Sequence, residues 1–149
     1  MGRPDQAAER LDHAFRLACQ LGDPCWEAMG ARLTGLLAVA AGNTAKAREQ
    51  LADALARATR VSDAYAWVHA HVLDSSAVLA VETGAHDAAQ IVDNLAELAE
   101  RCGLRELVVR AHVHRGRLGV LGSLESAGLL AAEIDNPTLE ALVGPLVPA

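Results

Sequence analysis

The chain has 149 residues, 52% of them hydrophobic, which suffices to bury a sizeable core, and only four aromatics, Phe15, Trp26, Tyr65 and Trp67, leaving that core mostly to Ala, Leu and Val. A formal charge of −6 argues against general attraction to nucleic-acid phosphates or anionic membranes. The first residues carry Arg3, Asp5, Glu9 and Arg10 rather than an apolar signal, and no apolar run approaches a membrane span, so a cytoplasmic chain with no membrane role is expected.

Helical periodicity begins at once. Leu11, Ala14, Phe15 and Ala18 recur at three-and-four spacing and predict a helix from Asp5 to Leu21, ended by Gly22. Asp23 before Pro24 reads as an N-cap with proline in the first turn of a second helix carrying Trp26, Met29, Leu33, Leu36, Leu37 and Ala40. Gly42 and Asn43 form a turn, a third helix covers Thr44 to Arg60, and Ser62 or Asp63 caps a fourth reaching Val81. Gly84 closes it. A fifth helix runs from His86 to Arg101, stopped by Gly103 as the left-handed residue past its end, and a sixth from Leu104 to Leu118. Gly119 and Gly122 interrupt the pattern before Ser123 caps a shorter helix through Leu129, Leu130 and Ile134, and Asn136-Pro137 opens the last, with Leu139 and Leu142. No segment alternates with the period of a half-buried strand, so the expected fold is all-α with seven to eight helices.

These helices repeat. Ala7, Leu11, Ala14, Phe15 and Ala18 return 40 positions later as Ala47, Leu51, Ala54, Leu55 and Ala58, then 41 later as Ala88, Val92, Leu95, Ala96 and Ala99. Trp26, Trp67 and Val108 are likewise spaced by 41. A period of this length predicts antiparallel hairpins stacked into an α-solenoid, one domain over residues 1–149. The first helix matches the second member of a hairpin, so its apolar face is expected to need cover from a longer parent chain or from a second copy in a homodimer.

The segment GLLAVAAGNTAKAREQLADAL, Gly35 to Leu55, resembles the tetratricopeptide repeat, with Gly35, Gly42, Ala47 and Ala54 at the family's small positions and Leu51 at its large apolar one. Ala38 stands where the family has tyrosine, the terminal proline is missing, and the period exceeds the family's 34. The phrase LGDPCWEA, Leu21 to Ala28, is similar to degenerate helical repeats near the C-terminus of large actinobacterial ATPases and transcriptional regulators. This resemblance implies a non-enzymatic regulatory module that holds a protein or peptide in a concave groove. Transferring the family's groove onto this chain points to Arg32, Leu36, Asp74, Ala77, His114, Arg115 and Leu118 as its lining. Asp74 and Arg115 share a repeat position and are expected to form an internal ion pair or a ligand contact. A homodimerising structural module of a larger transcriptional regulator and a small-molecule sensor are the alternatives.

Other candidates are weaker. The sixth helix is locally basic, with Arg105, Arg110, Arg115 and Arg117, which suits a solvated face or an acidic peptide partner better than nucleic acid. His69 and His71, and His112 and His114, form two H-x-H pairs, but residues two apart point to different faces of a helix, so neither pair chelates one ion. No metal, cofactor or catalytic constellation is expected. Cys19 and Cys102 read as small core residues, while Cys25, in the first turn of a helix, is the candidate for a reactive thiolate.

Overall fold

A computed structural model describes residues 4–60 and 65–146, with side chains from Gln6 onward. The described residues form eight helices and no strand: α1 Pro4–Leu21, α2 Pro24–Ala40, α3 Thr44–Ala58, α4 Ala66–Glu82, α5 Ala88–Arg101, α6 Arg105–Arg117, α7 Ser123–Ala132 and α8 Pro137–Val143. The all-α expectation holds, and boundaries other than the start of α4 fall within two residues of those read from periodicity. The Ser62 or Asp63 cap lies outside the described residues.

Local chemistry explains where helices start. The Asp23 carboxylate accepts from the backbone N–H groups of Cys25 and Trp26, and Pro24 occupies the first turn, where no intrahelical donor is needed. Asn43, expected only as a turn residue, caps α3 by accepting from Lys46 N, and Asn136 caps α8 by accepting from Thr138 N. At α7 the capping position falls on Gly122, at φ 75°, and Ser123 is instead the first, buried helical residue.

Five helix ends, those of α1, α2, α4, α5 and α6, follow a single scheme. Asp23 N bonds Ala18 O, Asn43 N bonds Ala38 O, Ala85 N bonds Ala80 O, Leu104 N bonds Ala99 O and Val120 N bonds Arg115 O. Each bond spans a glycine with positive φ, at Gly22, Gly42, Gly84, Gly103 and Gly119. This closure satisfies carbonyls that the helix leaves orphaned, and it needs a residue without a Cβ in the left-handed region.

Contacts divide the chain into two compact units, Met1–Leu79 and Ala80–Ala149. In the first, α1 packs on α2 and α2 on α3. Cys25, Ala28 and Ala31 of α2, Ala54 and Ala58 of α3, and Val68 and Val72 of α4 form one buried cluster, against which Phe15, Met29, Leu55 and Tyr65 pack. A second cluster joins Ala38, Ala47, Leu51 and Leu79. The small positions allow close approach: a Cβ on Gly35 would stand 3.0 Å from Leu51 Cγ, and one on Gly30 would stand 2.7 Å from Phe15 Cδ2. In the second unit α5 packs on α6, and α6 on both α7 and α8. Its core gathers Val109, Val113, Ala127, Ala131, Leu139 and Val143.

The repeated phrase has unequal surroundings. Ala47, Leu51, Ala54 and Ala58 of α3 are buried, as are Ala88, Val92, Leu95, Ala96 and Ala99 of α5. In α1 only Ala18 is buried, while Ala7 and Ala14 are exposed and Leu11 and Phe15 half-covered. The same apolar stripe that α3 and α5 bury therefore stands open on α1.

Candidate interaction surface

The open stripe of α1 meets α2 in an apolar cleft of about 350 Å³. Its walls are Leu11, Ala14, Phe15, Leu17, Ala18 and Leu21 from α1, and Trp26, Met29, Gly30 and Leu33 from α2. Large hydrophobic side chains remain exposed along it: Leu21 at 73%, Trp26 at 61%, Leu17 at 47% and Leu33 at 39%. Among the described residues of the first unit, only Trp67 of the exposed large hydrophobics lies elsewhere. Exposed large hydrophobic residues scattered singly carry no meaning, but three leucines and a tryptophan on one concavity make a contiguous patch of the kind that marks a contact site. Sequence reasoning placed Trp26 and Leu33 on the helix's apolar side and did not foresee that they stay exposed.

A polar anchor lies beneath this cleft. The buried carboxylate of Glu27 in α2 accepts from Nη1 of Arg57 on α3 at 2.6 Å and from Nη1 of Arg60, just past the end of α3, at 2.7 Å. Arg57 also donates through Nε to Asp53 at 2.7 Å, and its guanidinium sits 5.0 Å from the centroid of the Phe15 ring. The hydrogen bond to Asp53 raises the Arg57 pKa above its ordinary value despite partial burial, so the cation is fixed. One side chain thereby ties α1, α2 and α3 together. Glu27 and Arg57 are 30 residues apart in sequence, which is why the periodicity did not link them.

On the other flank of α1 a larger hollow of about 550 Å³ is lined by Ala8, Leu11, Asp12, Phe15, Thr34, Leu37, Ala38, Ala41, Asn43, Lys46 and Gln50. Its lining mixes charge with apolar surface. Helix α1 thus has an open flank on each side.

The residues expected to line a groove are distributed over both units. In the first, Arg32 Nε donates to His71 O at 2.9 Å and to Ser75 Oγ at 2.7 Å, a bond that cross-links α2 to α4. Ser75 Oγ in turn donates to His71 O. Leu36 is half-buried, while Asp74 and Ala77 are buried. In the second unit His114 is buried, Leu118 is exposed, and Arg115 donates through Nε and Nη2 to Asp93 Oδ1 of α5, at 3.2 and 2.8 Å.

Two arginines of the basic helix α6 are occupied within their own unit, because Arg105 also pairs with Glu133 at 2.7 Å. Carboxylates of α5 and of the residue following α7 thus balance part of the charge that sequence alone offered to an acidic partner. His112 is pushed below its ordinary pKa first by burial and then by the neighbouring Arg115 cation, with Glu100 opposing. Since the folded chain binds this proton less readily than the unfolded one, stability is expected to be full above the ordinary histidine range, about 6.5, and to fall as pH drops through it. His112→Asn should flatten that limb of the urea midpoint against pH; an unchanged slope would assign the titration to another group.

The cysteine expectations reverse. Cys19 and Cys102 are exposed, the first because the buried position is its neighbour Ala18 and the second because it caps α5 past its last residue, and Cys25 is the buried thiol. Burial, reinforced by the Asp23 carboxylate that caps the same turn, raises the Cys25 pKa, so the helix N-terminus does not make it a thiolate. With a disulfide reagent at neutral pH, Cys19 and Cys102 are expected to react quickly and Cys25 only as fast as the chain opens. Three fast thiols would contradict the buried placement.

Among the described residues no group of three or more His, Cys, Asp or Glu is arranged to hold a metal ion, and no helix is long and apolar enough to cross a membrane. Comparison with protein families, curated proteins and solved structures finds no match.

Proposed function

We propose that the chain is a non-enzymatic protein-interaction module whose contact surface is the α1–α2 cleft, and that its occupant is a helix presenting an apolar stripe. The supporting observation is the convergence of Leu17, Leu21, Trp26 and Leu33 on one concavity. Helices that dock in grooves supply anchors at i, i+3 or i+4, and i+7, the spacing of the stripe that α3 and α5 bury in this chain. Stacking of further hairpins into a solenoid, and the regulatory setting implied by the likeness of LGDPCWEA, belong to the same proposal.

A synthetic amphipathic peptide with leucines at i, i+3 and i+7 is the probe. In dilute protein with Trp67→Phe, leaving Trp26 as the sole tryptophan, saturable binding should shift Trp26 emission to shorter wavelength. Leu33→Glu should abolish the shift. Binding that survives Leu33→Glu, or no binding at all, would overturn the reading.

A further inference from the structure

We propose that the occupant of the α1–α2 cleft is a second copy of the same chain, so that the protein pairs through α1 and α2 about a twofold axis. This rests on the cleft reading above and adds the identity of the partner. Three observations lead to it.

The first is the repeat itself. Ala7 and Ala14 occupy positions whose equivalents, Ala47 and Ala54 in α3, are buried against helices of this same sequence. A helix of this chain is therefore chemically suited to the open stripe of α1. In a twofold pair each copy offers the other the same patch, and self-complementarity requires only that Leu21 and Trp26 of one enter the cleft of the other.

The second is area. The exposed fractions of Leu17, Leu21, Trp26 and Leu33 amount to on the order of 400 Å² of side chain per copy, within the range of the largest patches on single proteins. Two copies would cover about twice that from these residues alone. The flanks of α1 and α2, 18 and 17 residues long, extend the contact toward the roughly 1,200 Å² at which specific interfaces begin.

The third is charge. The first unit carries eight Lys and Arg against nine Asp and Glu, whereas the second carries five against ten. The flank of α1 is mixed in sign, with Glu9 and Asp12 beside Arg10 and Arg16, and Asp12 and Arg16 already pair at 3.0 Å. A chain of net charge −6 meets a copy of itself with least repulsion at this nearly neutral unit.

Sedimentation velocity of the full chain over a wide concentration range tests the proposal. A monomer–dimer equilibrium is expected, with Trp26 emission in the Trp67→Phe chain moving to shorter wavelength as dimer forms. Leu17→Glu with Leu21→Glu, both on exposed α1 positions, should leave helical circular dichroism unchanged and weaken dimerisation at least tenfold. A chain that stays monomeric throughout, or a dimer indifferent to those substitutions, would overturn self-pairing. Peptide binding in dilute protein reports separately on the cleft, so a monomer that still binds the peptide removes the second copy and keeps the cleft.

Discussion

Glu27→Gln is expected to lower stability by about 3 kcal/mol, the lower end of what breaking a buried ion pair costs. The magnitude follows from what is left behind. Glu27 is 6% exposed and receives two guanidinium groups; without its charge, Arg57 keeps Asp53 but loses its shortest contact, and Arg60, half exposed, turns to water. Arg57 therefore bears most of the loss. For a chain of this length the change corresponds to a fall of roughly 6–12 °C in Tm. A double-mutant cycle sharpens the expectation, since Glu27→Gln with Arg57→Met should show clear coupling and Glu27→Gln with Arg60→Met much less. A loss below about 1 kcal/mol would mean that the trio behaves as a surface pair.

Leu139→Ala should cost about 3 kcal/mol by a different mechanism. Helix α8 has seven residues, and Leu139 and Val143 are the buried ones. Leu139 is fully covered among Val109, Val113, Ala127 and Ala131, whose small neighbours cannot expand to fill the space it vacates. The substitution opens a cavity and also removes one of two anchors of a helix too short to persist alone. Leu129→Ala, on the exposed side of α7, should change the denaturation midpoint little. Equal losses at the two positions would contradict the packing of α8.

Much of the architecture was legible before any coordinates. Glycine and proline punctuation located the helix ends because those residues act through the backbone, where sequence and conformation are directly linked: Gly103 sits at φ 65° and Pro24 lies in a first turn, as expected. The periodic alanines of α3 and α5 marked buried faces correctly. Periodicity failed where burial depends on a neighbour. The α1 stripe has the letters of a buried face, yet a pattern states which side of a helix is apolar and not whether anything lies against it. Cys19 was misread for a related reason, since it adjoins the buried Ala18 and one residue of rotation turns a side chain by about 100°, whereas Cys102 falls just past the last residue of α5. The bridge from Glu27 to Arg57 had no local signature, because pairs joined across helices leave no spacing rule behind.

The recurring glycine closures explain how a period outlives its letters. Each of these five turns is completed by main-chain bonds around one Cβ-free residue, as at Gly42 and Gly84, 42 positions apart. Nothing in that closure depends on the identity of the side chains before or after it. Positions one period apart are thus free to differ, as Gly35 and Ser76 or Trp67 and Val108 do, while the glycine closures recur. A shape kept by its corners tolerates loss of its consensus, and residues flanking those corners are where the chain should best accept inserted sequence.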